Sequence, residues 1–315
     1  MSGMHRDRVE KPAKKKRKIR LSFQRGVQLA AAALFNGYAV GFAKGKIFTG
    51  KSKAFCVPVL NCYSCPGALG ACPIGSLQAV LGGVNRHFPF YVLGFLILFG
   101  IVLGRLICGL LCPFGLVQDL LHKIPVPKLK VPKKADKPLR YLKYVVLAAT
   151  VLLPIFLTTT AGIAPPYFCK YICPAGTLGG GIPLVSANPA LQKVIGALFN
   201  WKVLVLIVIV VTSVFIHRPF CRYLCPLGAF YSLFNKFSFY QMHLDRNKCV
   251  DCKKCEHSCP MAVEVTKNIN SMECIRCGKC KSVCPTKAIS SGFSFGCKNA
   301  KETEDDRKVQ KNMLE

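Results

Sequence analysis

Carboxylates are what this chain most lacks. It carries 14 Asp and Glu against 44 Lys and Arg, a formal net charge of +30 over 315 residues. None lies between Glu10 and Asp119, and none between Asp136 and Asp245. A soluble domain of that size normally mixes both signs over its surface, whereas a lipid-embedded one has little need to. The chain also lacks a Gly-rich nucleotide loop, a nucleophile elbow and a C-x-x-C-H haem motif. These absences exclude the common nucleotide, acyl-transfer and c-type haem chemistries. No small-residue cleavage site closes a short apolar core near Met1, so a cleaved signal peptide is not expected.

The positive excess alone would suit a nucleic-acid binder, and Lys11-Pro-Ala-Lys-Lys-Lys-Arg-Lys18 has the composition of a nuclear localisation signal. The basic blocks, however, sit directly beside apolar runs. That is the pattern of cytoplasmic flanks beside anionic lipid headgroups, so membrane lipid and not nucleic acid is the expected partner. Four apolar stretches stand out: Val27 to Phe48, interrupted by Asn36, Gly37 and Gly41; Phe88 to Leu111; Tyr141 to Ile163; and Trp201 to Ile216. The last is short and borrows Phe199 or Pro219-Phe220 to approach the ~20 residues that cross ~30 Å of hydrocarbon. A run such as Trp201-Lys-Val-Leu-Val-Leu-Ile-Val-Ile-Val-Val has no polar face, which argues against a soluble bundle.

Lys and Arg number ten in residues 1–25 and eight in 123–143, but five in 44–86 and three in 170–202. The positive-inside bias then places both termini in the cytoplasm and makes the chain a multi-pass protein of a bacterial or archaeal cytoplasmic membrane. Cys108-Gly-Leu-Leu-Cys112-Pro-Phe-Gly resembles Cys221-Arg-Tyr-Leu-Cys225-Pro-Leu-Gly, and Cys72-Pro-Ile-Gly resembles Cys173-Pro-Ala-Gly. The expected fold is therefore membrane α-helical, with four transmembrane helices in two parallel repeats, followed by a small C-terminal α+β ferredoxin-like domain. The expected segments are a basic cytoplasmic stretch (1–25), a first helix pair (26–122) and an extended Pro/Lys connector (123–140). A second helix pair (141–240), a tandem ferredoxin domain (241–296) and a polar tail (297–315) follow.

Nineteen cysteines carry the chemistry. The most specific signal is Cys249-x2-Cys252-x2-Cys255-x3-Cys259-Pro, repeated as Cys274-x2-Cys277-x2-Cys280-x3-Cys284-Pro. Three closely spaced thiolates hold three corners of a cubane, and the fourth cysteine of each run ligates the other cluster. One [4Fe–4S] cluster is expected on Cys249, Cys252, Cys255 and Cys284, and a second on Cys274, Cys277, Cys280 and Cys259. Structural zinc is the bland alternative, and zinc sites seldom repeat this triple spacing in tandem. Lys253, Lys254, Arg276 and Lys279 between the ligands either screen the clusters, dock an acidic partner or form a solvated face.

Two further sets are less specific. Cys108 with Cys112, and Cys221 with Cys225, are i,i+4 pairs on one helix face and could converge as ligands of an iron–sulfur cluster or zinc; four buried free thiols are the alternative. On the opposite face Cys62, Cys65, Cys72, Cys169 and Cys173 offer more thiols than one site needs, and a Cys56–Cys62 disulfide competes with ligation there. Cys297 has no assigned role. No thiol falls in mid-span, so a ~30 Å gap is left for a quinone, a partner subunit or another cofactor to bridge. Near the span ends His87, His122 and His217 are the candidate bases for a quinone site, each more commonly structural than functional.

With its four spans, its paired C-x3-C-P-x-G motifs and its tandem ferredoxin segment, the chain resembles the NapH/NosR/MauN-type membrane polyferredoxins over residues 20–290. The resemblance implies an electron-transfer subunit between the quinone pool or cytoplasmic carriers and a partner oxidoreductase. The motifs at Cys62–Cys72 and Cys169–Cys173 are additions to the family pattern. Two other readings compete. One is a membrane-bound maturation or redox-sensing factor with no turnover of its own; the other, a transporter built from parallel repeats, finds no buried charges in the spans to support it.

Overall fold

The computed structural model describes residues 13–83, 88–129, 131–157 and 163–293. The chain opens with helix α1 (Ala13–Phe35) and the short α2 (Ala39–Lys44), and a 3₁₀ turn (Lys51–Ala54) leads into a cysteine-bearing loop. Then come α3 (Pro73–Leu81), α4 (Phe90–Leu103), α5 (Leu106–Leu110) and α6 (Pro113–Leu121). The second half begins with α7 (Lys133–Phe156), followed by α8 (Tyr167–Tyr171), α9 (Pro174–Gly176), a π turn (Thr177–Gly181), α10 (Ile182–Ala187) and α11 (Pro189–Gln192). It closes with α12 (Ala197–Phe215), α13 (Pro219–Tyr223) and α14 (Pro226–Phe234). Strands β1 (Tyr240–Leu244) and β2 (Ile289–Phe293) pair antiparallel, Met242 opposite Ser291, and enclose the turns α15 (Lys254–His257) and α16 (Lys279–Val283).

Among the described residues two helices are long and apolar enough to cross a membrane, by length and composition only: Lys134–Phe156 and Ala197–Phe215. Only 17% of each apolar window is buried. Their outward faces carry Leu152, Leu204, Ile207 and Val211, all large apolar side chains open to the surroundings. Extending α12 upstream recruits Phe199, one of the two extensions expected.

Other boundaries depart from the sequence reading. The stretch Val27 to Phe48 is not one helix, because Asn36-Gly37 ends α1 at Phe35 and the chain turns; Gly37 is packed against the side chain of Leu69. The helix runs instead back through the basic segment. The second stretch breaks after Leu103, where Gly104 takes φ +52 against Asn235, Arg276 and Ser238, a conformation only glycine adopts cheaply. The Pro/Lys connector becomes helical from Lys133, capped by extended Pro132. Pro138 is tolerated in that helix because it is exposed, leaving the carbonyl it cannot pair to water.

The main core runs between the two halves and contains the thiols themselves. Cys72, Cys108, Cys112, Cys173, Cys221 and Cys225 are buried there with Leu96, Ile107, Phe220 and Tyr231. A second, smaller core of Met242, Met261, Val263, Val265, Ile275 and Ile289 sits in the two-stranded domain.

Candidate metal centres

In the C-terminal domain each expected ligand set lines a cavity of its own. Cys249, Cys252, Cys255 and Cys284 surround one, and Cys259, Cys274, Cys277 and Cys280 the other. The crossover is built by two single-turn helices. α15 carries Cys255 and leads to Cys259, and α16 carries Cys280 and leads to Cys284, so each turn delivers one thiol to each cavity. The loops repeat in detail. Asp251, Lys253 and Ala262 take positive φ, and so do Arg276, Gly278 and Lys287, the residues 25 positions later in each case (251 to 276, 253 to 278, 262 to 287). Non-glycine residues held in that region cost about 1 kcal/mol or more each, so the surrounding fold must impose them.

The four C-P-x-G motifs share one local geometry. Cys72, Cys112, Cys173 and Cys225 each sit in extended conformation as the N-cap of a helix, with proline at its first turn. Proline costs nothing there, since that N–H has no helical partner anyway. The glycine amide three residues on faces the sulfur: Gly176 donates to Cys173 Sγ at 3.4 Å and Gly228 to Cys225 Sγ at 3.3 Å. The Gly75 and Gly115 amides face Cys72 and Cys112 in the same way. Oriented N–H groups favour a thiolate and the anionic centre it would bind.

Two more cavities result. Cys108, Cys112, Cys221 and Cys225 line one together with Pro58, Val59, Leu60 and Leu227. Cys62, Cys72, Cys169 and Cys173 line the other. Cys65, the fifth candidate, faces Asn36 Oδ1 at 3.7 Å. Cys56 and Cys62 are both free, so the disulfide expected as one alternative is not formed; Cys56 is buried beneath Tyr91, whose hydroxyl accepts from its amide at 3.3 Å. Cys297 and His87 lie outside the described residues.

The expected gap between the two faces does not exist. Leu60 lines both of these cavities. The loop Val57 to Asn61 folds inward, held by the Tyr231 hydroxyl donating to Pro58 O at 3.1 Å, and the amides of Leu60 and Asn61 face Cys112 and Cys72 respectively. At the other end the cluster-type loop of the C-terminal domain presses on the middle cavity. A side chain on Gly109 would collide with the carbonyl of Ile275, which lies between Cys274 and Cys277.

Sequence reading missed the charges that clamp this junction. Arg105 and Arg218 are both 0% exposed. Arg105 donates to Glu273 Oε2 at 3.0 Å and to the Met272 carbonyl at 2.8 Å, while Lys143 donates to the other Glu273 oxygen. Burial alone would raise the Glu273 pKa, but Arg105 and Lys143 outweigh it and hold the carboxyl below its usual range. Arg276 is buried too, donating to Leu103 O and Asn235 O at 2.9 and 2.6 Å, so it is neither a solvated nor a docking residue. Gln118 donates to Cys221 Sγ at 3.1 Å and Gln78 to Cys169 Sγ at 3.6 Å. The signal was available: the first repeat reads Arg105-x2-Cys-x3-Cys-Pro-x-Gly-x2-Gln118, and Arg218 opens the second in register.

His122 and His217, far apart in sequence, meet edge to face with ring centroids 5.2 Å apart. They line a cavity of about 120 Å³ with Gln28, Asp119, Lys279 and Cys277. Asp119 accepts from Arg218 and, at 3.2 Å, from His217 Nε2. Burial holds the His217 imidazole neutral, its pKa lowered to about 4, and its Nδ1 is buried without a partner.

The donor chemistry fits iron–sulfur clusters. Each of the four cavities is walled by four thiols, and Gly176 and Gly180 line the Cys62 cavity in van der Waals reach of Cys62 Sγ. Among the described residues no group of three or more His, Cys, Asp or Glu closes tightly enough for a single metal ion. Zinc would require sulfurs about 2.3 Å from one point.

Comparison with known proteins agrees with this arrangement. A family model described as a 4Fe-4S binding domain matches four times, at residues 70–91, 87–132, 146–184 and 198–245, each match containing one C-P-x-G motif. A 4Fe-4S dicluster domain matches residues 241–285. An uncharacterized protein of Methanocaldococcus jannaschii is 34% identical over 201 residues, covering 62% of this chain and 75% of the relative. The methylamine utilization ferredoxin-type protein MauN of Paracoccus denitrificans is 28% identical, covering 62% of each chain. The ferredoxin-type protein NapH of Escherichia coli is 27% identical, covering 60% of this chain and 59% of its own. This chain belongs to the NapH/NosR/MauN-type polyferredoxins. Two of these relatives are named ferredoxin-type proteins, and 4Fe-4S binding is what the matched domain models describe. No solved structure matches the polyferredoxin.

Proposed function

We propose that this polyferredoxin is a membrane-embedded relay that passes single electrons along four [4Fe–4S] clusters. The order is the Cys249 set, the Cys259/Cys274 set, the Cys108/Cys221 set and the Cys62/Cys169 set. One observation carries the reading. The four thiol-lined cavities adjoin in that order, through the crossed turns α15 and α16, through Gly109 against Ile275, and through Leu60. The clusters supply reversible one-electron chemistry when bound; the chain's part is to hold them close, dry and screened by Arg105 and Arg218. Membrane embedding is supported by the exposed apolar faces of α7 and α12, since apolar surface of that extent is not left to water. The proposal keeps four crossings, with α1 and α4 as the other two and both termini cytoplasmic, as the Lys/Arg bias of the loops suggests.

A proton-coupled carrier such as a quinol fits the cavity at His122 and His217. There a neutral imidazole with a free, buried Nδ1 stands beside Cys277, so a proton acceptor and a cluster ligand share one wall. The deciding experiment is anaerobic purification with iron and sulfide counted per chain, followed by reductive titration under electron paramagnetic resonance. Sixteen irons are expected, and a quinol analogue should reduce the oxidised clusters or its quinone reoxidise the reduced ones. Eight irons would reduce the relay to an ordinary two-cluster ferredoxin on an anchor.

A further inference from the structure

The cavity of Cys62, Cys72, Cys169 and Cys173 differs from the other three thiol-lined cavities in size. It encloses about 290 Å³, against about 10 to 20 Å³ for each of the others. A cluster on those four thiols would leave room at the mouth, where the Cys108 set, with all four thiols buried, would be sealed. The mouth is lined by Lys170, Lys202 and the half-exposed Tyr63, and Lys53 and Lys202 both lie within electrostatic reach of Cys62. Lys44, Lys46 and Lys51, on the segment that leads into the Cys62 loop, are exposed. Among the described residues no carboxylate lines the mouth, and the sequence has no Asp or Glu from 36 to 118 or from 137 to 244. A cluster edge that can be approached, a tyrosine beside it and Lys53, Lys170 and Lys202 with no carboxylate in the lining together form a one-sign field that focuses an oppositely charged partner on the redox centre.

We infer that this mouth docks a soluble one-electron carrier protein with an acidic rim around its own exposed redox centre. The inference rests on the relay reading, since it needs a cluster on the Cys62 set. The exchange is a single electron between that cluster and the carrier, one being oxidised as the other is reduced, with no proton moved and no bond made or broken. Lys170 and Lys202 set the orientation, and Tyr63 supplies apolar contact at the point of closest approach.

The test uses the full chain in lipid nanodiscs, reduced by dithionite, desalted and mixed anaerobically in a stopped-flow instrument with an acidic plastocyanin or a basic cytochrome c as probes. The acidic probe should reoxidise the clusters quickly at low ionic strength, and the rate should fall steeply as salt is added. Lys170→Glu/Lys202→Glu should slow it roughly 10-fold or more and invert its salt dependence. Lys170→Gln/Lys202→Gln should give an intermediate rate should the double charge reversal fail to fold. Lys248→Glu/Lys267→Glu, exposed on the C-terminal domain, should leave the rate unchanged. Iron is counted in every sample. A wild-type count without the four irons of the Cys62 set overturns the relay and the docking site together. A full count with rates indifferent to the Lys170 and Lys202 charges overturns the docking site alone, and assigns those lysines to lipid headgroups.

Discussion

Arg218, on the second repeat, donates from Nη1 to the carbonyl oxygen of Cys108, on the first, at 2.5 Å; Arg105 returns the bond to Cys221 O at 3.1 Å. Each repeat thus fixes the other's first cysteine and places a buried cation beside the four shared thiols. The Cys62 set has no counterpart, for Pro166 stands three residues before Cys169 where each arginine stands before its cysteine.

That asymmetry predicts unequal potentials. Removing one positive charge several ångströms from a cluster costs the reduced form ~1–2 kcal/mol at an effective dielectric of ~20. For one electron this is roughly 50–100 mV. Arg218→Gln should therefore shift the middle cluster to lower potential by that amount in a spectroscopic redox titration. The double variant Arg218→Gln/Asp119→Asn removes the stranded carboxylate, separating the charge effect from misfolding. An unchanged potential would show that the arginines serve packing alone.

Gly109→Ala tests the contact between domains. The new methyl meets the Ile275 carbonyl, a backbone atom that cannot rotate away. The variant should keep its full iron content while electron transfer from the C-terminal clusters to the middle one slows several-fold in a laser-flash reduction assay. Gly94, around which space is open, provides the control: Gly94→Ala should be silent.

Glu273 is the counter-charge for two buried cations, Arg105 and Lys143. Breaking a buried pair by removing one partner costs ~3–5 kcal/mol, because the remaining charge is left in a poor solvent. Glu273→Gln should loosen the C-terminal domain by about that much, read as protease cleavage near residues 235–245 at lower urea. Replacing all three, as Glu273→Met/Arg105→Met/Lys143→Met, should restore most of the resistance.

Much of this was legible in the sequence where spacing is local. The crossed ligand sets of the C-terminal domain follow from x2, x2 and x3 spacings, and the structure gathers each set around one cavity. Convergence of Cys108, Cys112, Cys221 and Cys225 followed from the repeat. What could not be read was the inward fold of Val57 to Asn61, which brings the two upper sets together, because a loop's path depends on the core that receives it. Asp119 looked like an isolated acid on a basic chain; only the tertiary fold places it under His217 and Arg218. Arg105 and Arg218 stood in register before their cysteines, yet a buried arginine is recognisable only once the glutamate or aspartate that neutralises it is known.

Among the thiols at the open cavity the structure discriminates. Cys62→Ala, Cys72→Ala, Cys169→Ala and Cys173→Ala should each lose about four irons per chain. Cys65→Ala and Cys56→Ala should lose none, since neither lines that cavity. Loss of iron in Cys65→Ala with retention in Cys62→Ala would reverse the assignment.

His217 gives the fold a pH limit of known sign. In the folded chain its imidazole titrates at about 4, lowered from 6.5 by burial and by the charge of Arg218, against the bond to Asp119. His122, also lowered, and Lys279 face the same cavity and oppose any second positive charge there. The unfolded chain therefore takes up the proton first as pH falls. Stability is fully present above about 6.5 and declines between 6.5 and 4, at up to about 1.4 kcal/mol per pH unit for one proton. Asp119 and Glu273, both held below their usual range, add further loss only as pH drops beneath the normal carboxylate values. Urea unfolding in detergent, followed by circular dichroism, should show the midpoint falling across pH 6.5 to 4 in the wild type. In His217→Gln, whose amide still donates to Asp119 but does not titrate, that window should flatten. A wild-type midpoint constant over the same range would mean that the imidazole is protonated in the folded state and paired as an ion with Asp119.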